Sequence, residues 1–286
     1  MSSPKNILSI QSEVVTGHVG NAAARFALQR LGHEAWGVPT VILSSHAGHA
    51  GFAGEATSPA LLRKLLEALS TQGRLAIADG VLTGYLGSAE QAPVVAEAVA
   101  RTKAFDRTTL YCMDPAFGDD GRVYARPGVA EAMRDTLLPL ADIVTPNAFE
   151  LSVLSGMAIT DTGGAVAAAE ALKRPIVVVT SVPVPDGLGT LLVAADTALL
   201  ATTPKLEQPP RGAGDLIAAL LFGHMVAGRS VGEALERAVL STYRVLEASA
   251  GQPEMALIAE QEALSAPPRL ESFRLDTLAV GARAHG

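Results

Sequence analysis

The feature that most constrains this chain is an alternation. Short apolar runs, most of them rich in β-branched residues, recur as NILSIQ (6–11), VPTVIL (38–43), LAIADGVLTG (75–84), TLYCMD (109–114), DIVTP (142–146) and IVVVT (176–180). Segments with apolar residues at helical spacing lie between or after them: NAAARFALQRLG (21–32), SPALLRKLLEALSTQG (58–73), SAEQAPVVAEAVARTK (88–103) and GGAVAAAEALKR (163–174). Strand followed by helix, many times over, predicts an α/β fold with a mostly parallel central sheet and helices on both faces. Ser58 is the expected N-cap of its helix, with Pro59 at the first helical position. Late in the chain the pattern changes. GTLLVAADTALLATTP (189–204) reads as a hairpin turning near Ala195-Asp196, and two helices, 214–228 and 230–250, are expected to close the fold.

No linker, repeat or low-complexity block interrupts the 286 residues. Residues 1–280 are therefore read as one domain and GARAHG (281–286) as a flexible tail. Hydrophobic residues at 49% against 18% charged are ample for a buried core and argue against disorder. The formal net charge of −7 argues against a nucleic-acid partner, since phosphate backbones select basic faces. The apolar stretch after Gly214 is interrupted by Asp215, His224 and Arg229, too polar and too short for a membrane span. MSSPKNILSIQS lacks the pattern of a signal peptide, and Cys112, the one cysteine, cannot form an intrachain disulfide. A soluble cytoplasmic protein without a membrane or nucleic-acid partner is expected, with Cys112 and Trp36 in packing roles.

In open parallel sheets, ligands bind beyond the carboxyl ends of the strands. Ser12, Asp114, Thr145-Pro146-Asn147 and Thr180-Ser181 all stand where an apolar run ends. PPRGAGDLIAALLFG (209–223) adds a glycine turn that opens into an apolar helix. Without side chains at Gly212 and Gly214 an anion can approach the backbone, and the unpaired amides of a helix N-terminus favour negative charge there. Gly212, Ala213 and Gly214 are candidates for an anion hole, and Asp215 for a base that takes a proton from an attacking hydroxyl. Taken alone, an ordinary glycine turn before a helix explains the same residues. In TPNAFEL (145–151), Asn147 and Glu150 fit a capping box; with Asp114 nearby, Glu150 equally fits a carboxylate holding Mg²⁺ through water. His46 and His49 lie in the glycine-rich loop SSHAGHAGFAGE (44–55), which reads as a mobile loop able to touch a ligand.

Together these segments resemble the pyridoxal kinase family of the ribokinase-like superfamily, from about Asn6 to about Leu278. IQSEVVTGHVGNAAA (10–24) and LTGYLGSAEQ (82–91) point to that family in particular, while CMDPAFGDDGRVY (112–124), ADIVTPNAFEL (141–151) and GAGD (212–215) occur loosely across the superfamily. The resemblance implies a ribokinase-like three-layer sandwich and transfer of the γ-phosphate of ATP to the 5′-hydroxymethyl group of pyridoxal, with pyridoxine and pyridoxamine as further substrates. It implies that Asp215 is catalytic, that Gly212, Ala213 and Gly214 form the anion hole, and that Ser12, His46, Ala47 and Tyr85 contact substrate. It assigns Asp114, Thr145, Asn147 and Glu150 to the phosphate side of the nucleotide site, Asp114 and Glu150 with Mg²⁺, and Thr180, Ser181, Thr203, Pro204, Lys205 and Leu206 to the rest of the nucleotide. It further implies a homodimer, a monovalent cation as a second candidate cofactor, and a loop 117–128 covering ATP. The chain departs from the pattern at Ala213, where many members carry threonine, at Ala47, where a hydroxyl is common, and at Thr180, where some carry lysine. Two alternatives share the fold: a hydroxymethylpyrimidine kinase of thiamine synthesis, disfavoured because GHVGN replaces a glycine-rich GGAG-type segment, and a non-catalytic ligand-binding protein, which needs no Asp215.

Overall fold

The computed structural model describes residues 3–185 and 187–278; the tail read at 281–286 lies outside the described residues. In chain order the first half holds β1 (Asn6–Val14), α1 (Asn21–Arg30), β2 (Glu34–Leu43), β3 (Gly54–Ala56), α2 (Pro59–Thr71), β4 (Gly80–Thr83), α3 (Gln91–Phe105) and β5 (Leu110–Met113). A small hairpin of β6 (Gly118–Asp119) and β7 (Arg122–Val123) follows, then α4 (Val129–Ala132), β8 (Ile143–Val144), α5 (Ala148–Ser155) and α6 (Thr162–Ala171). The last part holds β9 (Ile176–Val184), β10 (Gly187–Ala194), β11 (Thr197–Thr203), α7 (Ala213–Val226), α8 (Val231–Ala248), α9 (Gln261–Ser265) and β12 (Arg274–Leu278).

One ten-stranded sheet runs in the order β12-β11-β10-β9-β8-β5-β4-β1-β2-β3. The pairings from β2 through β1, β4, β5 and β8 to β9 are all parallel, whereas β3 and β10 to β12 add antiparallel edges. This is the ribokinase-like three-layer arrangement expected from the sequence, and the reason is visible in single strands. In β1, Leu8 and Ile10 enter the core beneath α2, α3, α5 and α6, while Ile7 faces the core formed with α1, α7 and α8. In β9, Val177 and Val179 take the first side and Val178 the second. A strand covered on both faces has no polar side, so it reads as an unbroken apolar run.

The helix boundaries follow local chemistry. The Ser58 side chain accepts the Leu61 amide, as the sequence predicts, and Pro59 opens α2. That helix closes with Gly73 in the left-handed region (φ 74°), where the Gly73 and Arg74 amides reach back to Ser70 and Leu69. The hairpin predicted around Ala195-Asp196 is β10–β11.

Two readings change. The run 75–84 is a single 3₁₀ turn (Leu75–Ile77) before a four-residue β4, because Asp79 is occupied in binding the Asn6 amide and the Lys5 ammonium at the sheet edge. The chain also does not close at α8. α9 and β12 follow, and β12 pairs along β11 through RLDTL, mostly exposed, with Leu275 and Leu278 at a spacing that does not fit strand alternation.

Candidate active site

The chain leaves β1 for β2 on one side and later returns to β4 on the other, so the sheet has its topological switch at β1. A crevice at the carboxyl ends is the consequence. Ser12 lies there, buried, where the β1–β2 register shifts between Gln11 and Glu13. Asp114 and Thr145 follow the ends of β5 and β8. Thr180 and Ser181 form a bulge in β9 where the β10 register slips; Ser181 is left-handed at φ 58°. β11 runs in the direction of β9, so Thr203, Pro204, Lys205 and Leu206 leave the sheet at the same edge.

At the centre of this edge stands the start of α7. Gly212 is its N-cap, at φ 100°, and a Cβ there would stand 2.1 Å from the His18 carbonyl oxygen. A Cβ at Gly214 would meet nothing within 4 Å, and the first-turn amides of a helix have no partner within the helix itself. Asp215 occupies that first turn. The second helix N-terminus at the site is α1, whose N-cap Gly20 (φ 55°, ψ −134°) has its amide near enough to the Asp215 carboxylate to pull its pKa down. Gly20 packs so closely on Ser12 that a Cβ would overlap the serine Oγ at 2.1 Å. Burial lifts the Asp215 pKa from the ordinary 3.8 to about 6, against the Gly20 amide, which lowers it. Ser12, Gly20 and Asp215 are thus one cluster. Gly20 lies inside the stretch IQSEVVTGHVGNAAA, but nothing in one dimension connects it to position 215.

Beside this cluster is a group of carboxylates. The Asp114 carboxylate accepts the Thr145 hydroxyl at 2.8 Å and has its pKa well raised, by burial first and then by the charges of Glu150 and Asp215. Asn147 and Glu150 form the capping box of α5: the Asn147 Oδ1 accepts the Glu150 amide at 2.9 Å, and Glu150 Oε2 accepts the Asn147 amide at 3.0 Å. Glu150 Oε1 also accepts the amides of Phe117 and Gly118, and Asn147 Nδ2 donates to the Gly118 carbonyl. The pair therefore fixes the root of the β6–β7 hairpin. Burial, then the charge of Asp119, raises the Glu150 pKa while three amides pull it down. The Thr180 amide donates to the Pro146 carbonyl, bringing the β9 bulge against the same turn.

The loop 44–55 and the segment of Tyr85 carry the remaining residues assigned to the substrate side. His46, half-buried, accepts the Gly48 amide on Nδ1, and desolvation, then the nearby Arg211 charge, lower its pKa; Ala47 is exposed. His49 faces Glu254 at 3.6 Å. Tyr85 stacks on Tyr124 with ring centroids 6.4 Å apart. Tyr124 was not singled out by the sequence, yet its ring stacks on Tyr85, and desolvation and then the charges of Glu150, Asp215 and Asp114 raise its pKa. Among the described residues no set of three or more His, Cys, Asp or Glu forms a closed metal cage.

A helix N-terminus presenting open amides and a carboxylate, at the switch point of a ribokinase-like sheet, defines a phosphotransferase of that fold. The chain matches the model of the phosphomethylpyrimidine kinase family over residues 27–255. It is 42% identical to the pyridoxal kinase PdxY of Rubrobacter xylanophilus over 274 residues (92% of this chain, 94% of that protein) and 41% identical to that of Deinococcus radiodurans over 283 residues (93% and 95%). The solved pyridoxal kinase of Leishmania donovani in complex with ADP and pyridoxamine superposes with a TM-score of 0.90 at 30% identity, covering 96% of this chain and 99% of the other. The chain belongs to the pyridoxal kinase family.

Proposed function

We propose that the chain transfers the γ-phosphate of ATP to the 5′-hydroxymethyl oxygen of pyridoxal, with Asp215 as the base. The observation that carries this is the convergence of two helix N-termini, α1 at Gly20 and α7 at Gly212, on one carboxylate whose pKa is lifted to about 6. Such a carboxylate is ionised at neutral pH yet basic enough to take a proton as the bond to phosphorus forms. The hydroxymethyl oxygen attacks phosphorus, its proton passes to Asp215, and the bond to the bridging oxygen of ADP breaks. The amides of Gly212, Ala213 and Gly214 take up the charge on the transferring group.

Ser12, His46, Ala47 and Tyr85 line the substrate side; pyridoxine and pyridoxamine carry the same hydroxymethyl group and fit the same chemistry. Asp114, Thr145, Asn147, Glu150, Thr180, Ser181 and Thr203 to Leu206 line the nucleotide side, beneath the cover 117–128. The donor set also suits Mg²⁺: Asp114 is a buried carboxylate among like charges, and Glu150, already accepting three amides, acts through water. When bound with ATP, the ion would neutralise phosphate charge beside Asp114. The whole of 1–280 works as one domain, supported by the sheet running from β1 to β12. A homodimer is supported by exposed Val15, just past the end of β1, and Ile42 in the neighbouring β2, 77% and 51% accessible. A cytoplasmic setting suits the free, buried Cys112, and no described helix is long and apolar enough to cross a membrane.

The test is ADP release with pyridoxal, with the hydroxymethylpyrimidine and with neither, the product identified by mass. Phosphorylated pyridoxal is the expected product; turnover with the pyrimidine alone transfers the assignment to the thiamine branch.

A further inference from the structure

Arg211 immediately precedes the anion hole and is not needed to build it. Its guanidinium reaches across the crevice, Nη1 to Asp119 at 2.8 Å and Nη2 to Asp120 at 3.4 Å, both at the turn of the β6–β7 hairpin. The hairpin root is fixed independently by Glu150 and Asn147. Its tip is held by Arg211. The same hairpin is in contact with the carboxylate group of the site, through the Phe117 and Gly118 amides that Glu150 accepts. Desolvation and then the charge of Arg211 lower the His46 pKa, so the guanidinium is felt at the substrate loop as well.

We propose that Arg211 is a phosphate-positioning residue of the transfer reaction, held beside the anion hole by Asp119 and Asp120 until the γ-phosphate of ATP replaces them. Exposed ion pairs of this kind are weak, and Arg211 is 51% accessible in its side chain, so exchanging partners costs little. A terminal phosphate offers the planar guanidinium fork paired oxygens and more charge than a carboxylate. The exchange would also free the hairpin tip from α7, so that it can settle on the nucleotide. The inference rests on the phosphotransfer reading above, but it predicts something that reading does not, namely discrimination between nucleotides that differ only in the γ-phosphate.

The experiment is calorimetric titration of wild type, Arg211→Gln and Arg211→Lys with ADP and with adenylyl imidodiphosphate, both with Mg²⁺. Arg211→Gln should weaken the triphosphate analogue by about 10- to 100-fold, the worth of a charge-assisted pair, and change ADP by no more than about twofold. Arg211→Lys, which keeps the charge without the fork, should fall between. Equal weakening of both nucleotides would mean that Arg211 only holds the cover down, and no change in either would mean that it is a surface ion pair; either overturns the proposal. Thermal melts of the variants should coincide with wild type. Because the readout is nucleotide binding, failure of pyridoxal as acceptor would sink the functional assignment and leave this comparison standing.

Discussion

Replacing the two glycines of the anion hole separately, Gly212→Ala and Gly214→Ala, should split stability from catalysis. At Gly212 the backbone is left-handed, φ 100°, and an added Cβ lies 2.1 Å from the His18 carbonyl oxygen and 2.8 Å from Met255 Cε. An alanine held in that conformation costs about 1–3 kcal/mol. The clash is with backbone rather than a flexible side chain, so the start of α7 must move by roughly an ångström, a misplacement worth about 10²-fold in rate. Gly212→Ala should therefore unfold at lower urea and turn over about a hundredfold more slowly. Gly214 is helical and its Cβ would point into open space. Alanine there should leave stability unchanged or raise it by about 0.5–1 kcal/mol through helix propensity. That open space is where the phosphate must come, so the methyl group should still reduce kcat by about 10²-fold, comparable to the loss of an oxyanion donor. Urea melts and initial rates on the same preparations decide it. A Gly214→Ala enzyme that is stable and turns over at the wild-type rate would refute the placement of the phosphate at the α7 N-terminus.

Other consequences can be checked with the same assay. The base must be ionised and its pKa is raised to about 6, so kcat/KM should be flat above neutrality and fall about tenfold per unit as pH drops below that value; a profile level to well under pH 5 would rule Asp215 out as the titrating base. Glu150→Gln puts an amide NH₂ where a carboxylate oxygen now accepts a backbone amide, which should cost about 1–3 kcal/mol and raise the Mg²⁺ concentration at half-maximal rate; lost stability with an unmoved Mg²⁺ titration would confine Glu150 to its capping role. Hydrogen exchange in the loop 44–55 should slow when pyridoxal and a non-hydrolysable ATP analogue are both bound, since water must be kept from the reacting phosphate, and equal protection in free and bound protein would end its role as a cover.

The parts of this molecule that were legible in its sequence are those governed by local periodicity and local capping. IVVVT reads as a buried strand because both faces of β9 are covered, and Ser58-Pro59 reads as a helix start because capping is a three-residue affair. Asp215 is legible as a candidate because Gly212 and Gly214, which open the helix, are its near neighbours. The missed features are relations between distant segments. Gly20 matters through Ser12 on one side and Asp215 on the other, and Tyr124 through its stack on Tyr85. β12 is held by the edge of β11 rather than by its own pattern. Glu150 shows the opposite case, in which both readings of one motif were open and the capping box is the one built into α5, with the hairpin root attached to it.

The central claim is that Asp215 takes the proton of the attacking hydroxyl. It is tested most directly by Asp215→Asn, which is close to isosteric and keeps one acceptor oxygen beside the Gly20 amide but cannot take the proton. Pyridoxal phosphorylation, measured in a single turnover with enzyme in excess, should fall by about 10²–10⁴-fold, the usual cost of losing a general base, while ADP affinity and the melting temperature stay at wild-type levels. A variant that binds ADP normally and phosphorylates pyridoxal within a few-fold of the wild-type rate would contradict the account.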